Sequence, residues 1–283
     1  MNKKLFDSSS VWFKLFFGFS LIIVGLFVFF PLYWMVITAF KSSSEAFSSN
    51  PTFFPKQITL ENFKNVITNM QIQRYMFNSL IVSITSSLLT TVLAMYGGYS
   101  FSKYRYTGRK SIMMLVMSSQ MFPFAVLLLT IYSVMQTLGL LNSYFSLILS
   151  FTTFTLPVGM WTFKSYFDQI PDSLIEAAKV DGASRLTIIH KIIFPLVIPG
   201  AISTAIYGFV WSWNDLLYSL TLITSADKRT LAPGLVLTYL GEFQSSWTEM
   251  MAASIWVSIP VTLMFIFLQR FFIEGMTAGA VKG

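Results

Sequence analysis

Ile170–Pro199 reads IPDSLIEAAKVDGASRLTIIHKIIFPLVIP, the longest charged, helix-like run between two apolar stretches of the chain. Pro171 suits a first helical position, where its missing N–H would be unsatisfied anyway. Asp172 places a carboxylate in the first turn, where the helix dipole favours it. Good helix formers run from Ser173 to Val180. Asp181-Gly182 then closes the helix, because glycine can take the left-handed conformation of a C-terminal cap. Ser184 can cap a second helix, on which Ile188, Ile189, Ile192 and Ile193 recur at helical spacing. Pro195 and Pro199 end it and lead into another apolar segment. The stretch is predicted to be helix, glycine turn, short helix. Leu174, Ala177, Ala178 and Val180 make its small apolar surface, rimmed by Glu176, Lys179, Asp181 and Arg185.

The apolar segments on either side set the fold class. Of 283 residues, 54% are hydrophobic and only 11% charged, with 29 Phe; soluble domains carry about 25% charged residues. The mean hydropathy of +0.65 likewise reads as an integral membrane protein. A membrane helix needs about 20 mostly apolar residues. Six stretches qualify: 14–39, 78–101, 111–135, 141–163, 196–222 and 249–272. The first follows Lys3, Lys4 and Lys14 but is too long for the apolar part of a signal peptide, and no small-residue cleavage site follows it. Tyr33-Trp34 near its far end suits an interfacial aromatic belt, and Pro31 is a candidate kink. Ser, Thr and Gly in the second stretch favour close helix packing in lipid. Pro123, Pro157 and Pro260 fall inside other spans, where neighbouring groups must satisfy the freed carbonyls.

Positive charge orients these spans. With the N-terminus inside, Lys41, Lys56, Lys64, Arg74, Lys228 and Arg229 fall outside, and the other 13 of the 19 Lys and Arg fall inside. The excess of positive charge inside predicts an all-α polytopic membrane protein with six transmembrane helices and both termini cytoplasmic. The 166–195 loop then faces the cytoplasm. The first external segment, about 40–77, is expected to carry a helix from Leu60 to Met76, started at Thr59 and lying across the outer face.

Covalent chemistry finds little support. The chain has no Cys and one His, which excludes disulfides, thiol catalysis and a multi-His metal site. Gly108-Arg109-Lys110-Ser111 lacks the glycine loop of a phosphate-binding motif, so this chain is not expected to bind ATP. The net charge of +7 is spread between spans and is no nucleic-acid signal. Asp215, in Trp211-Ser-Trp-Asn-Asp, is the main anomaly. A carboxylate at mid-span costs about 2.5–3.5 kcal/mol and should face protein or water. It either lines a substrate path with Trp211, Trp213 and Asn214, or makes a structural hydrogen bond that holds the fifth helix. Aromatic faces beside amide and carboxylate groups suit a sugar.

Glu176-Ala177-Ala178, Gly182 after Asp181, and Phe194-Pro195 resemble the "EAA" loop of ABC importer permeases. The Trp213-Asn214-Asp215 segment and the Thr277-Ala278-Gly279-Ala-Val281-Lys282-Gly283 ending are similar to the carbohydrate branch, in its maltose-transporter-like second permease. The resemblance covers nearly the whole chain. It implies that Glu176, Ala177, Ala178, Asp181, Gly182, Arg185 and Pro195 belong to a coupling loop that docks on an ATPase. It implies that Thr277 to Gly283 reach into the ATPase dimer. It further implies a second, different permease subunit, two ATPase subunits that hold ATP and Mg, and an extracellular substrate-binding protein. The setting is a bacterial or archaeal cytoplasmic membrane, with no cofactor on this chain. Competing readings are a self-contained secondary transporter or channel, or a membrane-embedded enzyme; an amino acid or polyamine is the alternative substrate.

Overall fold

The computed structural model describes residues 11–241 and 246–280. In chain order its helices are α1 (Val11–Ala39), α2 (Ser43–Ala46), α3 (Glu61–Thr68), α4 (Met70–Lys103), α5 (Arg109–Ser118), α6 (Phe124–Thr137), α7 (Tyr144–Phe167), α8 (Asp172–Val180), α9 (Arg185–Thr187), α10 (Phe194–Leu196), α11 (Ile198–Trp213), α12 (Leu217–Leu222), α13 (Leu231–Tyr239) and α14 (Trp247–Ala280). There is no strand among the described residues. Four of the described helices are long and apolar enough to cross a membrane, and the number is six if each of two bent pairs is one span. The protein is an all-α polytopic membrane protein.

The bent pairs fall in the third and fifth apolar stretches, which are not continuous helices. Arg109–Met121 and Phe124–Thr137 meet at 104°. Phe122 is extended, with ψ at 132°, as the ring of a following proline demands. The fifth stretch is interrupted twice. Arg185–Leu196 and Ile198–Trp213 meet at 78°, and Asn214-Asp215-Leu216 then separates α11 from α12. By contrast, Pro31, Pro157 and Pro260 sit inside continuous helices. The external helix foreseen over Leu60–Met76 is likewise two pieces. It stops at Asn69, which is extended, and the chain re-enters helix at Met70 and runs unbroken to Lys103.

The chain divides into two compact units. One holds residues up to Asn69 together with Tyr239–Ser258. There Asn62 closes the end of α1, its Nδ2 donating to the carbonyls of Ala39 at 2.9 Å and Lys41 at 2.8 Å. Asn65 donates to Glu249 at 2.8 Å. The other unit, Met70–Thr238 with Ile259 onward, is built on α4, α7 and α11. Small and hydroxyl residues let these three helices approach closely, as expected in lipid. Ser86 pairs with Ser212 and Thr90 with Thr155, each at 2.7 Å between oxygens. A Cβ on Gly98 would lie 2.6 Å from that of Phe163, so only glycine fits there.

Candidate functional site

The helix–turn–helix of residues 170–199 is present, with local differences. Pro171 is not the first helical residue; it precedes the helix in an extended conformation, ψ 136°, and Asp172 begins α8. Gly182 closes α8 at φ +77°, its N–H donating to the Lys179 carbonyl at 3.0 Å. The Ser184 side chain accepts from the Thr187 amide at 3.2 Å and starts α9. Ile188–Ile193 is wound as a π-turn, in which the Phe194 amide reaches back to Ile189. Pro195 therefore lies within the short α10, not at a terminus. The break comes at Val197, and Pro199 sits in the first turn of α11.

The two faces of α8 are distinct. Ile175 and Ala178 point into a core with Tyr99, Phe163, Phe167, Ile188, Ile189 and Ile193. Ala178, read from sequence as part of the free surface, is thus buried at 7% exposure. Leu174, Ala177 and Val180, spaced by three, are exposed, Val180 at 88%. Glu176, Lys179, Asp181 and Arg185 are exposed around them. Lys103 holds the start of α8, and Asp168 ties together the ends of α4 and α7 just before it. Lys103, at the end of α4, donates to the Ile170 carbonyl at 2.6 Å and to Asp172 at 2.7 Å. Asp168, just after α7, accepts from Ser102 and from Lys164, each at 2.6 Å. The hydrogen bond and charge of Lys103 hold the Asp172 carboxyl below its ordinary value. Burial pushes Asp168 up, but the hydrogen bonds of Lys164 and Ser102 outweigh it and the net shift is downward. Both are carboxylates at neutral pH. Sequence reasoning counted Lys103 and Lys164 only as orienting charges and missed these ties; nothing local in the sequence pairs Lys103 with a residue 69 positions away.

The second site forms where the two broken spans meet. Phe124 starts α6 directly after Pro123, and its ring packs on Trp211, Phe154 and Tyr218 at 4.6, 4.4 and 4.2 Å between centroids. The Tyr218 hydroxyl donates to the Phe124 carbonyl at 2.9 Å. Beside this cluster lies a cleft of about 440 Å³ lined by Phe124, Val210, Trp211, Asn214, Asp215, Leu216 and Leu217. Of the four residues foreseen here, Trp211 is half-buried at the edge of the cleft and Asn214 is exposed, its Nδ2 donating to Val210. Trp213 is not in the cleft. It is buried and stacks on Phe209 at 5.4 Å. Asp215 lines the cleft but is 8% exposed. Its two oxygens accept the amides of Tyr218 at 3.4 Å and Ser219 at 2.8 Å, in the first turn of α12. Its structural bond therefore goes to the backbone ahead of it rather than to a neighbouring helix. Phe124, Phe154 and Tyr218 were not singled out from sequence, where they are lost among 29 Phe and 12 Tyr; Phe-Pro-Phe at 122–124 was the available signal.

Thr277, Ala278 and Gly279 fall in the last turns of α14, and their side chains, with all of Val281, Lys282 and Gly283, lie outside the described residues.

Residues 91–278, which contain both sites, match the family of binding-protein-dependent transport system inner membrane components. The chain belongs to that family. It is 36% identical to the diacetylchitobiose uptake system permease protein DasC of Streptomyces coelicolor, over 90% of this chain and 92% of that protein. It is 32% identical to the trehalose/maltose transport system permease protein MalG of Thermococcus litoralis, over 93% and 94%. Among solved structures, a chain of a bacterial ABC transporter that imports the acidic polysaccharide alginate superposes with a TM-score of 0.80. That match has 20% identity and covers 93% of this chain and 98% of that one. The family is one of transport-system permease subunits.

Proposed function

We propose that this permease carries a sugar or oligosaccharide inward across a bacterial or archaeal cytoplasmic membrane, with both of its termini on the cytoplasmic side. It works with a second, different permease subunit, two ATPase subunits that hold ATP and Mg, and an extracellular substrate-binding protein. One observation carries the coupling: α8 is fastened on one face to the ends of α4 and α7 and leaves Leu174, Ala177 and Val180 free within a charged rim. That is a rigid, apolar, helix-sized knob, the shape an ATPase cleft accepts. Closure of the ATPase pair on ATP would bring two such knobs together and switch the spans between inward- and outward-facing states. Thr277 to Gly283 form a second contact with the ATPase.

The substrate class rests on the relatives' sugars and on the Trp211 cleft. Aromatic rings stack on the apolar face of a pyranose while an exposed amide such as Asn214 hydrogen-bonds its hydroxyls. An ion-driven transporter would instead need free intramembrane acids, and Asp215 is engaged as a cap. The test is uptake in proteoliposomes holding the full complex, with labelled oligosaccharides against amino acids and polyamines. Sugar uptake that requires ATP and falls in Trp211→Ala is expected. Uptake of an amino acid or polyamine alone, or an unchanged rate in Trp211→Ala, would overturn the substrate reading.

A further inference from the structure

We propose that the segment after α1, Phe47 to Leu60, is a second membrane-contacting element that lies in the bilayer interface at the Ala39 end of α1. By the orientation proposed above, that is the outer leaflet. The obvious role for an external segment is to meet the binding protein, but its chemistry is wrong for a wet protein surface. Phe47, Phe53, Phe54, Ile58 and Leu60 are 58, 60, 74, 76 and 66% exposed. Isolated exposed apolar side chains need no explanation, but five within one short segment do.

These side chains are held outward by a folded frame. Glu45 accepts from the Thr52 hydroxyl at 2.6 Å and from the Lys56 amide at 3.0 Å, which closes the segment on itself. The Thr59 amide donates to the Phe40 carbonyl at 3.0 Å and returns the chain to the end of α1. Lys41 donates to the Thr52 carbonyl, and its ammonium lies 4.9 Å from the Trp34 ring centroid. Lys41 is thus buried while the aromatics face outward, and Lys56 remains exposed, as a cation at headgroup level can.

The depth follows from what the aromatics touch. Phe53 packs edge-on against Trp34 at 6.0 Å and Phe54 against Tyr33 at 6.3 Å. The Tyr33 hydroxyl donates to the Phe53 carbonyl. Tyr33 and Trp34 sit in the last turns of a membrane-spanning helix, where amphipathic rings settle at headgroup level. Rings packed on them share that level. The apolar surface of the segment is therefore continuous with the lipid-facing surface of α1, and acyl chains and headgroups are its occupant.

The chain has no cysteine, so one introduced thiol reports one place. In the full complex, in phosphatidylglycerol–phosphatidylethanolamine vesicles, a nitroxide is attached at Phe54→Cys. Its relaxation by oxygen, which concentrates in lipid, is compared with that by a water-soluble nickel chelate. Leu21→Cys on α1 gives the lipid standard and Lys64→Cys on α3 the aqueous one. An oxygen-to-nickel ratio several-fold above that at Lys64 is expected, unchanged when the binding protein is added. A ratio equal to that at Lys64 would overturn the proposal. So would a label shielded from both reagents, or one that becomes shielded on adding the binding protein, because protein would then cover the surface. Ile58→Cys repeats the measurement should Phe54→Cys fail to accumulate.

Discussion

Gly182 offers a perturbation whose size can be worked out from its surroundings. Its φ is +77°, and a Cβ built on it would meet nothing within 4 Å. Gly182→Ala therefore adds no clash and removes no contact; it costs only the left-handed backbone, about 1–2 kcal/mol for an L residue. That is a factor of about 5–30 in the population of the native turn. Asn tolerates the left-handed region better than Ala, so Gly182→Asn should lose less. Gly182→Pro should lose nearly everything, since proline locks φ near −65° and has no N–H to donate to Lys179. If α8 is the element an ATPase engages, uptake and binding-protein-stimulated ATP hydrolysis should fall together in the order Gly, Asn, Ala, Pro. The amount of protein in the membrane should stay constant, because α8 keeps its buried face of Ile175 and Ala178. Proteoliposome uptake with parallel phosphate release measures both quantities. Equal activity of Gly and Ala, or Asn worse than Ala, would show that the backbone at Gly182 is not what positions the coupling helix.

Three other outcomes are expected. Gly98→Ala puts a Cβ 2.6 Å from the Phe163 Cβ and 2.9 Å from the Lys164 amide nitrogen, so it should destabilise by about 1–3 kcal/mol, seen as a lower Tm of the detergent-solubilised protein. Asp215→Ala should cost about 0.5–2 kcal/mol as a lost cap, while Asp215→Asn, which keeps an acceptor, should retain Tm and uptake; a variant with native Tm and abolished uptake would mean that the carboxylate touches substrate. Because Lys103 lowers the folded-state pKa of Asp172, this tie stabilises α8 above the unfolded value and is lost as pH falls below it. Amide protection in α8 should thus be level through the neutral and mildly acidic range and drop only below pH 3.8, the ordinary value for aspartate; a drop well above that value would show that the Lys103–Asp172 tie is not what holds α8.

What was legible in the sequence was what local patterning controls. Apolar run length located the helices, and the Asp181-Gly182 stop and the Ser184 cap were readable because turn and cap chemistry is local. The breaks were harder. Pro31, Pro157 and Pro260 leave helices intact while Pro123 does not, and composition alone does not separate these cases. Asp215 ends α11 by offering its carboxylate to the amides that follow, a competition between side chain and backbone that reads as an ordinary mid-span acid until the geometry is known. Leu174, Ala177 and Val180 are exposed as read, but Ala178 is buried, because helical periodicity ranks the faces of α8 without saying which of them finds a partner. The pairing of Lys103 with Asp172, and of Phe124 with Trp211, depends on how α4 meets α8 and how α6 meets α11, which no local pattern carries.

The arrangement of ties explains how a small helix could move large ones. A push on Ala177 enters α8, which is joined to the end of α4 through Lys103 and to the end of α7 through the buried Phe163 and Phe167, while Asp168 ties those two ends together. These helices cannot slide freely on one another. The Ser86–Ser212 and Thr90–Thr155 bonds and the gap that only Gly98 fits join α4, α7 and α11 as one body. Close-packed interiors transmit such a displacement rather than absorb it. Helix is interrupted at Phe122-Pro123, at Val197 and at Asn214–Leu216; the last of these lines the Trp211 cleft and the first adjoins its Phe124. A rigid body that meets two of its three breaks beside the cleft would change the cleft when α8 moves, which is the requirement for gating a substrate path from a distance.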